Sequence, residues 1–580
     1  MSEDVKLINE EQQQKGISRR KFIVGTAIGA AGVTAGVAAS GMLAGCGEKP
    51  EQPAPTPGTA GTAGKASWEI APPPIPDSQI KETFSTDVVV VGAGAGGMVA
   101  AVSAAEAGAK TVLLEKAAQS TKSPLWMAAI NSSLQKKLGI KIDRNEAVQE
   151  ICRYGGHLVD QRLVNLWADK SGEVLDWFMP IMKAAGYEVM LETDLKKGFY
   201  KSYAVGHIVI KPPKQDIGTN NDFGSALYMP VLENKAKELG VDIRYNTPLV
   251  QLVRQEKGRV TGVIAKNAKG EYIRVDAKKG VILCTGGYGR NVEMMDKLCP
   301  TAQYNSFNIT PPGNTGDGIK AALWVGASLD PIHALMVFDR GLVGNDGKIG
   351  PPWTGSYFRA GSQPFLRVNV RGERFANEDL PYDYIWDAAV MQPEHVWWMV
   401  WDDNWREDIT RFHTTICSRL VPHPEAPPRE GLDKIAKDIE TLVGSGQIKK
   451  ANTIDELAQK MGVPAETFRA TVARYNELAK KGKDEDFGKL AFRLSTIEKV
   501  PFYAAKLSGT ILCNLNGLRV NTKLQVLDTD MNPIPGLYAA GNDSGSFFAY
   551  NYPQMFAGLA LGRTTTFARL AALNAAGEKV

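Results

Sequence analysis

The hexapeptide Gly92-Ala93-Gly94-Ala95-Gly96-Gly97 sets glycine where a chain must turn tightly, bring its backbone against a ligand and let a helix lie close to a strand. The apolar run DVVVV (87–91) precedes it, and a second run, TVLL (111–114), ends at Glu115. Such an arrangement holds a pyrophosphate at a helix N-terminus, where unpaired N–H groups and the helix dipole favour negative charge. Glu115 is then placed to accept both hydroxyls of a ribose. The chemistry implied is that of a dinucleotide, with Gly92 making the turn, Gly94 meeting the phosphates and Gly97 packing helix on strand. A second concentration of chemistry is SFFAYNYPQMFAG (546–558), which gathers Phe547, Phe548, Tyr550, Tyr552 and Phe556 in a chain that is 8% aromatic. Rings in such numbers serve a core, but a phenol such as Tyr552 also offers a hydrogen-bond donor with a pKa of about 10.

A strand, an Ala-rich helix and a second strand must position the glycines, and the β-type run 242–263 follows with a turn at Glu256-Lys257-Gly258. GVILCTGGYGRN (280–291) and GLYAAGND (536–543) each read as a strand ending in glycine and polar residues. Widely separated segments returning to one dinucleotide core favour FAD over a detached NAD domain. The fold class expected is α/β, a Rossmann-like FAD-binding domain assembled from several chain segments.

The remaining composition excludes other classes. The chain has 580 residues, is 44% apolar and carries a net charge of +4, enough for two or more domains. Its basic residues are dispersed, so no nucleic-acid partner is expected. The six cysteines form no CxxC, no CxxCH and no Cys/His cluster, so no metal or haem site is expected. Near the N-terminus, Arg19 and Arg20 precede an uncharged, mildly apolar stretch that resembles a twin-arginine export signal, and Leu43-Ala44-Gly45-Cys46 resembles a lipobox. Residues 47–80 read as a Pro/Ala/Gly-rich tether. Export by the twin-arginine machinery, a lipid anchor at Cys46, and a location on the outer face of the cytoplasmic membrane or in the periplasm are expected.

Together with NTGDGIKAALWVGA (314–327), GERFANED (372–379), WDDNWRED (401–408) and ARYNELAKKGKDEDFGK (473–489), these motifs resemble the flavoprotein superfamily of fumarate reductases, succinate dehydrogenases and 3-ketosteroid dehydrogenases. The resemblance implies an FAD-binding domain from residues 81–330 and 500–580, with an inserted α+β capping domain at 331–499. It implies FAD contacts from Gly92 through Gly97, Glu115, Lys116, Val250, Gly286, Asp317, Gly541, Asn542, Gly558 and Leu559. Family members often carry Glu where Asn542 stands. The chain also lacks a glycine-rich turn after the first acidic residue, which leaves Ser123, Trp126 or Asn131 to meet the flavin's dimethylbenzene side.

Fumarate reductases of this family bind a dicarboxylate with two histidines and an arginine, and protonate it through an arginine fed by a carboxylate and a second arginine. Glu378 matches the relay carboxylate and Arg406 the proton donor, but the second relay arginine falls on Tyr382. One substrate histidine falls near Phe338, the other in a segment (506–520) without histidine, and the clamping arginine is Tyr552. A dianion in a desolvated cleft needs bidentate cationic partners, so fumarate is a poor substrate. The 3-ketosteroid dehydrogenase branch carries a Tyr-Pro whose hydroxyl polarises a carbonyl, matched by Tyr552-Pro553, whereas Phe556 replaces its glycine. The expected function is FAD-dependent reduction of an activated carbon-carbon double bond in a small-molecule substrate, an enone or unsaturated acid. Tyr552 would polarise the substrate, and Arg406 or a tyrosine would protonate it. A ketone dehydrogenase such as one acting on 3-ketosteroids, and a flavoprotein that binds without turnover, are the alternatives. Electrons are expected from a separate cytochrome, FMN protein or quinol oxidase.

Overall fold

The computed structural model describes residues 64–121, 126–195, 198–210, 225–414, 416–423 and 431–578. The twin arginines, Cys46, the first half of the tether (47–63) and Ser123 lie outside them. Residues Ala63–Val580 cluster as one unit.

Its first layer is an eight-stranded sheet whose central strand is Ile80–Val91, the DVVVV run. β-Branched valines suit a strand covered on both faces, and Val88, Val89 and Val90 are fully buried. Thr111–Leu114 and Tyr272–Leu283 flank it in parallel, and Pro533–Ala539 adds to the far side of Tyr272–Leu283. Chain segments nearly 450 residues apart thus meet in one sheet, as 88 pairs with 280 and 281 with 537. The strands 242–244, 249–254 and 260–266, which break the single β-type run into three pieces, and Gln525–Leu527, antiparallel to Pro533–Ala539, complete it. Helix Ala95–Glu106 packs on this sheet and against the final helix, Leu559–Ala576, which also touches the sheet.

The second layer is a seven-stranded sheet, mostly antiparallel. Leu335–Leu342, Ser356–Tyr357, Leu366–Val368, Trp397–Asp402 and Ile448–Ala451 come from the segment expected to form a cap. Its organising strand is Phe502–Asn514, which pairs with Leu335–Leu342, Trp397–Asp402 and Ile448–Ala451 and also joins Asn305–Asn308. Residues 500–580 therefore divide between the two sheets: an apolar run such as FYAAKLSGTILCN announces a strand but not which neighbours it will have. Trp397, Trp398, Trp401 and Trp405 are all buried in this half. A third, three-stranded sheet joins Trp126–Ala128, Gly206–Ile210 and Glu188–Leu191. Among the described residues no helix is long and apolar enough to cross a membrane.

Candidate active site

A cavity of about 1220 Å³ runs from the glycine turn to the second sheet. At its nucleotide end each glycine has a separate physical reason. Gly92 has φ +100°, and a Cβ there would lie 2.4 Å from the Cys284 carbonyl oxygen. A Cβ at Gly97 would lie 1.6 Å from the Gly92 oxygen, so only glycine lets the helix seat against the turn. Gly96 faces Thr564 of the final helix, where an added Cβ would lie 3.1 Å from its methyl group. Gly94 is different: it caps the helix Ala95–Glu106, lines the cavity, and has open space where a side chain would be. That is the room a pyrophosphate needs at a helix N-terminus.

Glu115, also lining the cavity, accepts the N–H groups of Ala93 (2.6 Å) and Ala117 (2.8 Å), which fix its carboxylate at the end of the second strand. Lone pairs left over can take ribose hydroxyls. Lys116 lines the same wall and pairs with Asp317 at 2.6 Å. Burial pushes the Asp317 pKa up, but Lys116 and Lys320 outweigh it and hold the carboxyl below its usual value. Ala95, Gly286, Gly541, Asn542 and Gly558 line the cavity directly. Ala93, Gly97, Leu559 and Asp317 are not among the lining residues, although Asp317 holds Lys116, which is. Val250 lies in the strand Leu249–Arg254 and does not reach the lining. Asp543 ties two core segments together, accepting from the Thr285 hydroxyl (2.8 Å) and the Gly287 N–H (3.0 Å). A cradle with room for a pyrophosphate, an anchored ribose acceptor and a long second compartment fits FAD, whose hydride chemistry belongs in that second compartment.

Trp126 lines the passage between the compartments, whereas Asn131 opens onto a different small pocket. Beyond it stand Met336, Phe338, Arg340, Tyr357, Tyr382, Leu512 and Tyr552. Tyr552 is buried, and its hydroxyl accepts the Ala560 N–H (3.2 Å) in the first turn of the final helix. Accepting there leaves the phenol's own proton to be donated elsewhere. Burial raises its pKa, keeping it neutral at ordinary pH. Tyr382 opens the helix Tyr382–Val390 after Pro381, lies edge-on to Phe338 with centroids 4.5 Å apart, and has a buried hydroxyl without a protein partner. Burial raises its pKa as well.

Arg406 is misplaced for the role the sequence suggested. It lies in the helix Trp405–Phe412, is 46% exposed, pairs with Asp433 at 2.9 Å, and is not among the lining residues. The amphipathic helix turns Trp405, Ile409 and Phe412 inward, which leaves the adjacent position outside. Glu378 does reach the cavity wall, but Arg374 holds its carboxylate at 2.8 and 2.7 Å and Lys489 stands 3.6 Å away. Arg374 in turn grips Asp484 at 2.7 Å. Burial would raise the Glu378 pKa, and Lys489 with Arg374 overcomes it, so the group stays ionised. This buried quartet balances two anions with two cations; no Glu378-to-Arg406 relay is formed.

The sequence reading missed Arg493, which is buried, lines the cavity and pairs with Asp379. Its Nε also donates to the Phe412 carbonyl at 3.0 Å, and burial lowers its pKa to about 10. A lone arginine in AFRLST carries no motif by which it could have been found. Arg340 also lines the cavity, and its Nε, Nη1 and Nη2 atoms are committed to Ser362, Tyr357, the Cys417 carbonyl and Ser418 at 2.6 to 3.1 Å. His333 bonds Asn516 through Nδ1 at 2.8 Å.

The fold and cavity define a flavin-dependent class of oxidoreductase. Residues 87–554 match the FAD binding domain family, to which the chain belongs. It is 29% identical to the vinyl phenol reductase of Lactiplantibacillus plantarum, over 82% of this chain and 94% of that protein. It is 30% identical to the 3-oxosteroid 1-dehydrogenase of Mycolicibacterium smegmatis, over 84% and 97%. Among solved structures, the open conformation of a flavocytochrome c3 fumarate reductase matches with a TM-score of 0.63 and 28% identity, covering 88% of this chain and 82% of the other. The protein is an FAD-dependent oxidoreductase acting on CH-CH groups.

Proposed function

We propose that the protein reduces a carbon-carbon double bond conjugated to a carbonyl or an aromatic ring, and that it does not use a dicarboxylate. The observation that carries this reading is the pair of buried phenols, Tyr552 bonded to the first turn of the final helix and Tyr382 beside Phe338, in the compartment where a fumarate enzyme needs cations. Arg340 and Arg493 are nearby, but their guanidinium groups are tied to protein partners. A second carboxylate would have to break those bonds to be neutralised.

The chemistry that bound FAD brings is hydride transfer. Tyr552, its oxygen fixed by the Ala560 N–H, donates a hydrogen bond to the conjugated group, keeps its proton, and stabilises charge as it grows there. The unpartnered Tyr382 hydroxyl supplies the proton that completes addition at the α-carbon. Met336, Phe338 and Leu512 exclude water and hold an apolar or aromatic body. The 29% identity to a vinyl phenol reductase supports this substrate class. Likeness to a 3-oxosteroid 1-dehydrogenase, together with Tyr552-Pro553, supports the reverse direction as the second reading.

The N-terminal sequence supports export and attachment at Cys46, and the absence of a CxxCH motif supports a separate electron donor such as a cytochrome, an FMN protein or a quinol oxidase. An anaerobic assay with reduced viologen tests the substrate class. Vinylphenols, enones and cinnamate-type acids should be reduced in preference to fumarate; fumarate as the best acceptor would overturn the proposal.

A further inference from the structure

Away from the two phenols, Asp194, His413 and His423 bring three ligand atoms within 4.8 Å of one another. We propose that these three residues bind a divalent cation of the zinc class and so fasten the segment 413–423 to the chain that follows the strand Glu188–Leu191.

Asp194 and His413 are 219 residues apart, so no spacing in the sequence announces the site. The Asp194 side chain is 3% exposed, and its two oxygens are divided between two tasks. Oδ2 accepts from Arg419 Nε at 3.1 Å, whereas Oδ1 faces His413 Nε2 at 2.6 Å and His423 Nε2 at 3.7 Å. The two imidazoles lie nearly parallel, with an interplanar angle of 25°. A tetrahedral zinc with bonds of about 2.1 Å needs its ligands about 3.4 Å apart, between the two observed His-to-Asp separations. Small side-chain rotations reach that geometry.

The surroundings resemble a metal site's supporting shell. Arg419 is also paired with Glu192, so its charge is balanced and it orients the carboxylate oxygen that does not face the imidazoles. His413 follows the helix Trp405–Phe412 at φ 47°, a left-handed position that glycine usually fills. A histidine there bears a conformational cost and presents its ring to Asp194. Both histidines are about one-third exposed, which leaves an approach from solvent and room for a water as fourth ligand.

The segment so fastened is part of the cavity wall. Thr414, Cys417 and Ser418 line the substrate compartment, and Arg340 donates to the Cys417 carbonyl and the Ser418 hydroxyl. An occupied site would hold that wall in place.

The test uses the full-length, flavin-loaded protein, stripped with a chelator and titrated with Co²⁺ alone and then Zn²⁺ alone. One equivalent of Co²⁺ should bind, giving ligand-field bands beyond the flavin absorption, and Zn²⁺ should displace it. His413→Gln and His423→Gln should each weaken binding at least about tenfold with flavin content unchanged. No metal retained after desalting, or wild-type affinity in either variant, would overturn the three-ligand site.

Discussion

Replacing Tyr552 by phenylalanine removes one oxygen from the cavity and leaves the ring in place. The ring's contact with Phe548, at a centroid distance of 5.5 Å, survives the change. Two effects follow, and they differ in size. The Ala560 N–H loses its acceptor, which costs about 1 kcal/mol of stability for a neutral hydrogen bond. For a protein of this size the melting temperature should fall by no more than about 2 °C. The transition state loses a preorganised donor, which costs roughly 3 to 4 kcal/mol, or about a hundred- to a thousandfold in kcat. Anaerobic kcat and KM with reduced viologen, alongside flavin stoichiometry by absorbance, separate the two. Lower kcat with full flavin content is expected. An unchanged kcat would remove Tyr552 from the mechanism, and a flavin-free protein would assign it to the cradle instead.

Gly97→Ala should give a protein without flavin, because the new Cβ would fall 1.6 Å from the Gly92 oxygen; absorbance of the purified variant checks this. Arg406→Ala should retain wild-type turnover, since that side chain faces solvent and Asp433; a large loss of kcat would restore its catalytic role. His207, buried with Nδ1 on the Val205 carbonyl at 2.8 Å and Nε2 against the Ser132 hydroxyl, has its pKa lowered by burial from 6.5 to about 4. The unfolded chain therefore takes up this proton first. The stability involved is complete above pH 6.5 and falls by about 3 kcal/mol as the pH drops to 4. Urea midpoints at pH 7 and pH 5 should drop more in the wild type than in His207→Gln, and parallel drops would contradict the assignment.

Local motifs were the most legible part of the molecule. The six residues 92–97 and Glu115 lie within one strand-helix-strand unit, where the Gly97 contact with the Gly92 oxygen and the Ala93 bond to Glu115 are local, whereas the neighbours Cys284 of Gly92 and Thr564 of Gly96 come from distant segments. Tyr552 was legible for the same reason, because it follows AAGND and precedes the final helix. Arg406 was not, since a motif names a residue without fixing which face of its helix turns inward. Glu378, expected as a relay carboxylate, does reach the cavity wall, but its partners Arg374 and Lys489 are set by tertiary packing, and they make it one member of a balanced buried quartet. Arg493 and the Asp194 cluster depend wholly on contacts between distant segments, for which a single sequence holds no sign.

The central claim concerns the direction of electron flow and the bond that receives the electrons. Its most direct test is a pair of anaerobic stopped-flow half-reactions on the flavin-loaded protein. In one, the chemically reduced flavin is mixed with a vinylphenol or an enone; in the other, the oxidised flavin is mixed with the corresponding saturated compound. Rapid reoxidation in the first and slow reduction in the second are predicted. Rapid reduction by the saturated ketone, with no reoxidation by the unsaturated compounds, would contradict the account.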